Sequence, residues 1–180
     1  MVIFIVEGVT DKEFFEDFLT NLHIDKSKYE FRNFKGKDNI FNLNHQYYNR
    51  IEDELDIIDK IFIAVDADDP KDSCPTRGYT QTEKKLQELI SDLNFDLMID
   101  YFIFSDESKQ KGYLESFLLS VLDEQQQKCI NDFQNCYRYE LSDKWVFNTF
   151  YKQKSHPFDY EHPNFNELKT KLKNLFEGMI

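Results

Sequence analysis

The chain has 180 residues, 41% of them hydrophobic and including 18 Phe and 10 Tyr, which supplies apolar volume for one globular core and too little chain for two. A formal net charge of −12 excludes a surface that tracks nucleic acid along its whole extent, so a phosphate-binding role needs a local basic patch, metal ions or a basic partner. The three cysteines, Cys74, Cys129 and Cys136, lack C-x-x-C spacing, which argues against a disulfide framework or zinc site.

Reduced thiols, no apolar stretch near the length of a membrane span and no signal-like leader together suggest a cytoplasmic protein. VIFIV (2–6) is too short and too β-branched for a buried helix and reads as a strand buried on both faces. Thr10-Asp11-Lys12-Glu13 then reads as a capping box, opening a helix with Phe14, Phe15, Phe18, Leu19 and Leu22 on one face. YEFRNF (29–34) is a second strand, ended by the turn-rich Lys35-Gly36-Lys37-Asp38-Asn39. Ile40, Leu43, Tyr47, Ile51, Leu55 and Ile58 share a face and predict one helix over 40–58.

KIFIAVDADDP repeats the opening pattern, an apolar run that ends on acid before Pro70 stops it. A helix over about 80–93 and a fourth strand, MIDYFIF (98–104), follow. Strands alternating with helices imply an α/β domain over 1–122 with a central parallel sheet of about four strands flanked by helices. The remainder reads as helical at 114–122, 124–133, around 145–151 and 166–176, with a polar loop over 152–163. Residues 123–180 thus form a helical C-terminal extension packed on the same core.

Chemistry concentrates where the apolar strands end. Asp66 and Asp68, two apart on an extended strand, point the same way. With the first and third strands close together in a parallel sheet, Glu7 converges on that pair. Carboxylates within about 4 to 6 Å of one another either raise a pKa or call for a cation, and hard oxygen ligands suit Mg²⁺ or Mn²⁺ completed by phosphate oxygens. Lys35, Lys37, Lys71, Arg77, Lys109 and Lys111 fall in the loops after strands two, three and four, at the same sheet edge, and supply the local basic patch. Lys37, Lys109 and Lys111 are the candidate phosphate contacts. His23, His45, His156 and His162 show no metal-ligand spacing, and Trp145 with Phe147, Phe150 and Tyr151 reads as packing of the tail in preference to a base-stacking surface.

Glu7-Gly8-Val9-Thr10-Asp11 after an apolar strand, with Asp66-Ala67-Asp68 closing a later one, resembles the E-G-x-x-D and D-x-D signatures of the Toprim domain of topoisomerases, primases and OLD-type nucleases. Two further stretches resemble small stand-alone Toprim-like proteins of unknown function related to the OLD-type nucleases. One is the turn Gly36-Lys37-Asp38-Asn39-Ile40, similar to G-G-K-x-N with Lys35 in place of the first glycine; the other is Gly112-Tyr113-Leu114-Glu115-Ser116-Phe117-Leu118-Leu119, similar to G-x-L-E-x-L-L. The resemblance covers about residues 2–122.

It implies a Rossmann-like Toprim fold, with Glu7 as metal ligand or general acid/base, Asp66 and Asp68 as Mg²⁺ or Mn²⁺ ligands, and Glu115 as a further ligand. Gly8 keeps the backbone close to the site, Asp11 matches the second acid or serves only the helix N-terminus, and Asp69, Gly36 and Gly112 are supporting residues. The implied activity is that of a Mg²⁺-dependent phosphodiester-processing enzyme, a small nuclease. The alternative is a non-catalytic module binding nucleotide or nucleic acid beside a separate ATPase, since the chain carries no G-x-x-x-x-G-K-[ST] of its own.

Overall fold

The structure is a computed structural model that describes residues 1–70, 76–106, 110–137, 157–178 and the single positions Trp145 and Thr149. Lys71, Cys74, Lys109, Phe147, Phe150, Tyr151 and His156, with most of the helix expected over 145–151, lie outside the described residues.

Strand β1 (Val2–Val6) is apolar throughout and fully buried, as expected of a strand covered on both faces. It pairs in parallel with β2 (Tyr29–Asn33) on one side and β3 (Lys60–Asp66) on the other, and β4 (Met98–Phe104) extends the sheet, giving the order β2-β1-β3-β4. Helices α1 (Val9–Asn21), α2 (Lys37–Ile40), α3 (Gln46–Asp53), α4 (Tyr79–Leu93), α5 (Leu114–Leu119), α6 (Glu124–Cys136) and α7 (Asn166–Phe176) complete an α/β, Rossmann-like architecture.

Alternation along the strands sorts the core by residue type. Phe4, Phe62, Phe102 and Phe104 point to one face, where Phe14, Phe15 and Phe18 of α1, Phe117 of α5 and Phe176 of α7 meet them. Ile3, Ile5, Ile61, Ile63 and Ile103 point to the other, against Ile40, Ile51 and Leu86. Leu168, Leu172 and Leu175 of α7 join the phenylalanine face, and Lys171 pairs with Asp100 of β4 at 2.7 Å, so the C-terminal extension closes the same core as the strands.

Two local expectations are corrected. The helix expected over 40–58 is confined to α3 (Gln46–Asp53): α2 already ends at Ile40, and in the turn between them Asn42 Oδ1 accepts from Asn44 N–H and His45 Nδ1 accepts from Tyr47 N–H, which starts α3 afresh. Helix α1 begins at Val9 and has no Thr10 capping box; Gly8 is its N-cap, and the Asp11 carboxylate accepts from Gly8 N–H at 2.7 Å.

Register decides where the site lies. Val6 is level with Ala64, so Glu7 emerges beside the last residues of β3. The neighbours of β1 connect in opposite directions, and the crevice at such a switch point is where open parallel sheets place ligands. The packing carries a direct expectation. Phe62 is fully buried with its ring 5.4 Å from Phe4 and 5.9 Å from Phe15. Phe62→Ala should lose about 3–5 kcal/mol in denaturant unfolding, and a loss below about 1 kcal/mol would contradict this core.

Candidate functional site

The carboxyl ends of β1 and β3 bring the sequence-predicted acids together. Asp66 N–H donates to Glu7 Oε1 at 2.8 Å, and Asp66 Oδ1 accepts from Leu114 N–H at 2.8 Å, at the start of α5. Glu115, in the first turn of α5, is 9% exposed and lies close enough to act on Asp66 through its charge, as do Glu7 and Asp11. Asp68 acts in the same way on Glu7. Five carboxylates from four segments therefore share one small region.

Their electrostatics follow from that crowding. Burial pushes the Glu7 carboxyl up to about 8; the Asp11 and Asp68 charges add to this, and the Asp66 N–H and Lys37 oppose it. Asp66 is driven well above the usual carboxylate range by burial and then by the Glu7 and Asp11 charges, the Leu114 N–H opposing and Glu115 adding. Such a group carries protons or attracts a cation.

The turn after β3 is fastened from several sides. Ala67 N–H donates to Phe104 O at 2.9 Å, Asp68 N–H to Gly112 O at 2.8 Å, and Gly78 N–H to Ala67 O at 2.7 Å. Asp68 holds φ 59°, a left-handed conformation in which Asp is tolerated. Lys37, expected at the surface as a phosphate contact, is instead buried, with Nζ donating to the Asp66 and Ala67 carbonyls, to Asp68 Oδ2 at 3.0 Å and to Thr82 Oγ1 at 2.9 Å.

Asp69 faces Tyr113 Oη at 2.6 Å and Lys111 Nζ at 3.4 Å, away from the shared acids' hydrogen bonds. Lys111 itself is exposed, and an exposed ion pair of this kind holds it only weakly, so it keeps the character of a surface cation at the site's rim. Sequence reasoning missed Thr82 and the Tyr113 hydroxyl. Neither carries a motif signal, and both act across long sequence separations.

The glycines divide. Gly112 has φ 142°, and a Cβ there would lie 2.8 Å from Asp106 N and Ser105 Cα, so the chain itself requires glycine. Gly36 takes φ 126° as it opens α2 and gives its N–H to Glu7 O at 2.8 Å. Lys35, standing where the resembling turn has glycine, takes φ 59° at a cost of about 1–2 kcal/mol. Gly8 is extended, and its Cβ would make only an ordinary 3.5 Å contact with Asp11, so nothing within the chain demands glycine there.

The donor set suits a hard divalent ion. The hydrogen bonds above take one oxygen each of Glu7 and Asp66 and leave Glu7 Oε2 and Asp66 Oδ2 outside them, with Glu115 alongside. Among the described residues no three His, Cys, Asp or Glu side chains are already disposed to hold a metal. Water or substrate oxygens would supply part of any coordination shell.

Two expectations follow for stability. Because Glu7 binds its proton more tightly folded than unfolded, its contribution is complete below about pH 4.5 and is lost as pH rises toward about 8. In metal-free buffer the stability of Glu7→Gln relative to native should therefore climb between pH 5 and 8, by at least about 1 kcal/mol; a flat or falling difference would contradict the raised pKa. Gly112→Ala should lose about 2–4 kcal/mol while Gly8→Ala stays within about 0.5 kcal/mol, both read by chemical denaturation. Equal losses would contradict the loop geometry.

Residues 1–157 match the model of a family described as a protein of unknown function (DUF3226), and the chain belongs to that family. No curated protein and no solved structure is detectably similar to it.

Proposed function

We propose that this DUF3226 member is a Mg²⁺- or Mn²⁺-dependent enzyme acting on phosphodiester bonds, a small Toprim-type nuclease whose working residues are Glu7, Asp66, Asp68 and Glu115. The observation that carries this is the gathering of these acids at the carboxyl edge of β1 and β3 with Glu7 and Asp66 pushed far up in pKa. That is a place where a cation would be stabilised and a proton can be held near neutral pH.

When bound, a divalent ion supplies Lewis acidity toward a phosphoryl oxygen and a more acidic water. Asp66, Asp68 and Glu115 would hold it, and Glu7, protonated in the metal-free protein near pH 7, is the group placed to give or take a proton. Lys111, at the rim beside Asp69, would meet the phosphate backbone. Such a patch is local enough to work within a chain of net charge −12.

One observation favours the second reading, a non-catalytic nucleotide- or nucleic-acid-binding module that works with a separate ATPase. Among the described residues the acids are not already disposed around a single ion. Incubating native protein and Asp66→Asn with single- and double-stranded DNA and RNA in Mg²⁺ or Mn²⁺ separates the two. A nuclease loses about 100-fold or more in product formation in the variant. Binding without cleavage in both proteins, or equal cleavage by both, would contradict the enzymatic reading.

A further inference from the structure

Lysines in loops are ordinarily solvated, and Lys37 is the one lysine among the described residues that is buried. Burying an ammonium is costly unless it is paired and hydrogen-bonded, so a chain that does so gains something a neutral side chain cannot supply. Its three donors face four oxygens: the Asp66 and Ala67 carbonyls, Asp68 Oδ2 and Thr82 Oγ1. Thr82 is itself fully buried, and its hydroxyl also lies 3.1 Å from Thr76 O as a donor. The ammonium thus joins the end of β3, the turn that carries Asp68, and the first turns of α4.

The placement of Lys37 is built as well. It is the first residue of α2, fixed by Gly36, whose N–H is bound to Glu7 O at 2.8 Å. A short element after β2 therefore reaches past the end of β1 and delivers a positive charge beneath the end of β3. The Asp68 carboxylate, on a residue of left-handed conformation, is held by this charge at 3.0 Å.

We infer that Lys37 is a positioning residue, a built-in cation that fixes the Asp66-Ala67-Asp68 turn so that its carboxylates stand ready for the site proposed above. The inference rests on that functional reading for its purpose, and on the geometry of Nζ for its substance. It replaces the role of phosphate contact expected of Lys37, because an ammonium spent on four internal oxygens is not offered to substrate.

Truncation supplies the test. Lys37→Ala removes three carbons and the nitrogen, the equivalent of n-propylamine, and leaves the four oxygens facing a gap of that shape. In metal-free buffer the variant should melt about 10 °C below native. n-Propylammonium chloride should recover at least half of that loss relative to sodium chloride at equal ionic strength, with no effect on native protein. Lys37→Met, which keeps the stem without the charge, should lose stability and not recover.

For the native protein, reductive methylation should label Lys37 at least about tenfold more slowly than Lys84, whose side chain is 77% exposed. This reading needs no variant to fold. A positioning role, as distinct from plain stabilisation, is read from Mg²⁺ binding: the dissociation constant of Lys37→Ala should rise at least about tenfold and fall again with n-propylammonium. Charge alone predicts the opposite, since losing a cation should tighten Mg²⁺ binding. Tighter binding, absence of amine-specific rescue, or methylation of Lys37 at the rate of Lys84 would each overturn the inference. Failure of the native protein to bind Mg²⁺ counts instead against the function proposed above, and the thermal rescue and methylation still decide the place of the ammonium.

Discussion

The Asp66 N–H to Glu7 Oε1 hydrogen bond, 2.8 Å long, joins the ends of the two central strands at the point where the sheet's connections diverge. It exists because β1 and β3 run parallel with Val6 level with Ala64, so an acid after one strand meets the last residue of the other. A slip of one residue would turn Phe62 of β3 to the isoleucine face and its isoleucines to the phenylalanine face, so the register that builds the core also builds the acid cluster. Core and site are one constraint.

Around that bond the protein balances charge by position more than by number. Burial raises Glu7 and Asp66, and each neighbouring acid raises them further. Opposing this are backbone N–H groups from Asp66 and Leu114 and the buried Lys37. Gly112 fastens the turn without charge: it approaches Ser105 and Asp106 too closely for any side chain, and its carbonyl receives the Asp68 N–H. Asp69, next to the acid pair, spends its carboxylate on Tyr113 and Lys111 and so belongs to the rim.

Much of this was legible in the sequence because the informative residues are local. VIFIV, KIFIAVD and MIDYFIF are apolar runs too short for buried helices, and they form β1, β3 and β4. Glu7, Asp66 and Asp68 stood out as converging acids from their places at or just past the ends of such runs, whereas Glu115 was nominated only by the resemblance of Gly112-Tyr113-Leu114-Glu115 to G-x-L-E. Periodicity failed over 40–58, where apolar spacing continues through Asn42-Leu43-Asn44-His45 although side-chain-to-backbone bonds break the helix there. It also could not foresee Lys37. A lysine's sequence neighbours say nothing of an oxygen cage assembled from residues 29 to 45 positions away.

On the function proposed above, the crowded acids at the carboxyl edge of β1 and β3 form a divalent-cation site. Calorimetric titration of Mg²⁺ and Mn²⁺ into native protein and into Asp66→Asn/Asp68→Asn, at near-physiological salt and with a non-cleavable phosphodiester ligand present, tests it most directly. The native protein should bind saturably, and the double variant should lose that binding. Equal binding by both, or none by the native protein with the ligand present, would contradict it.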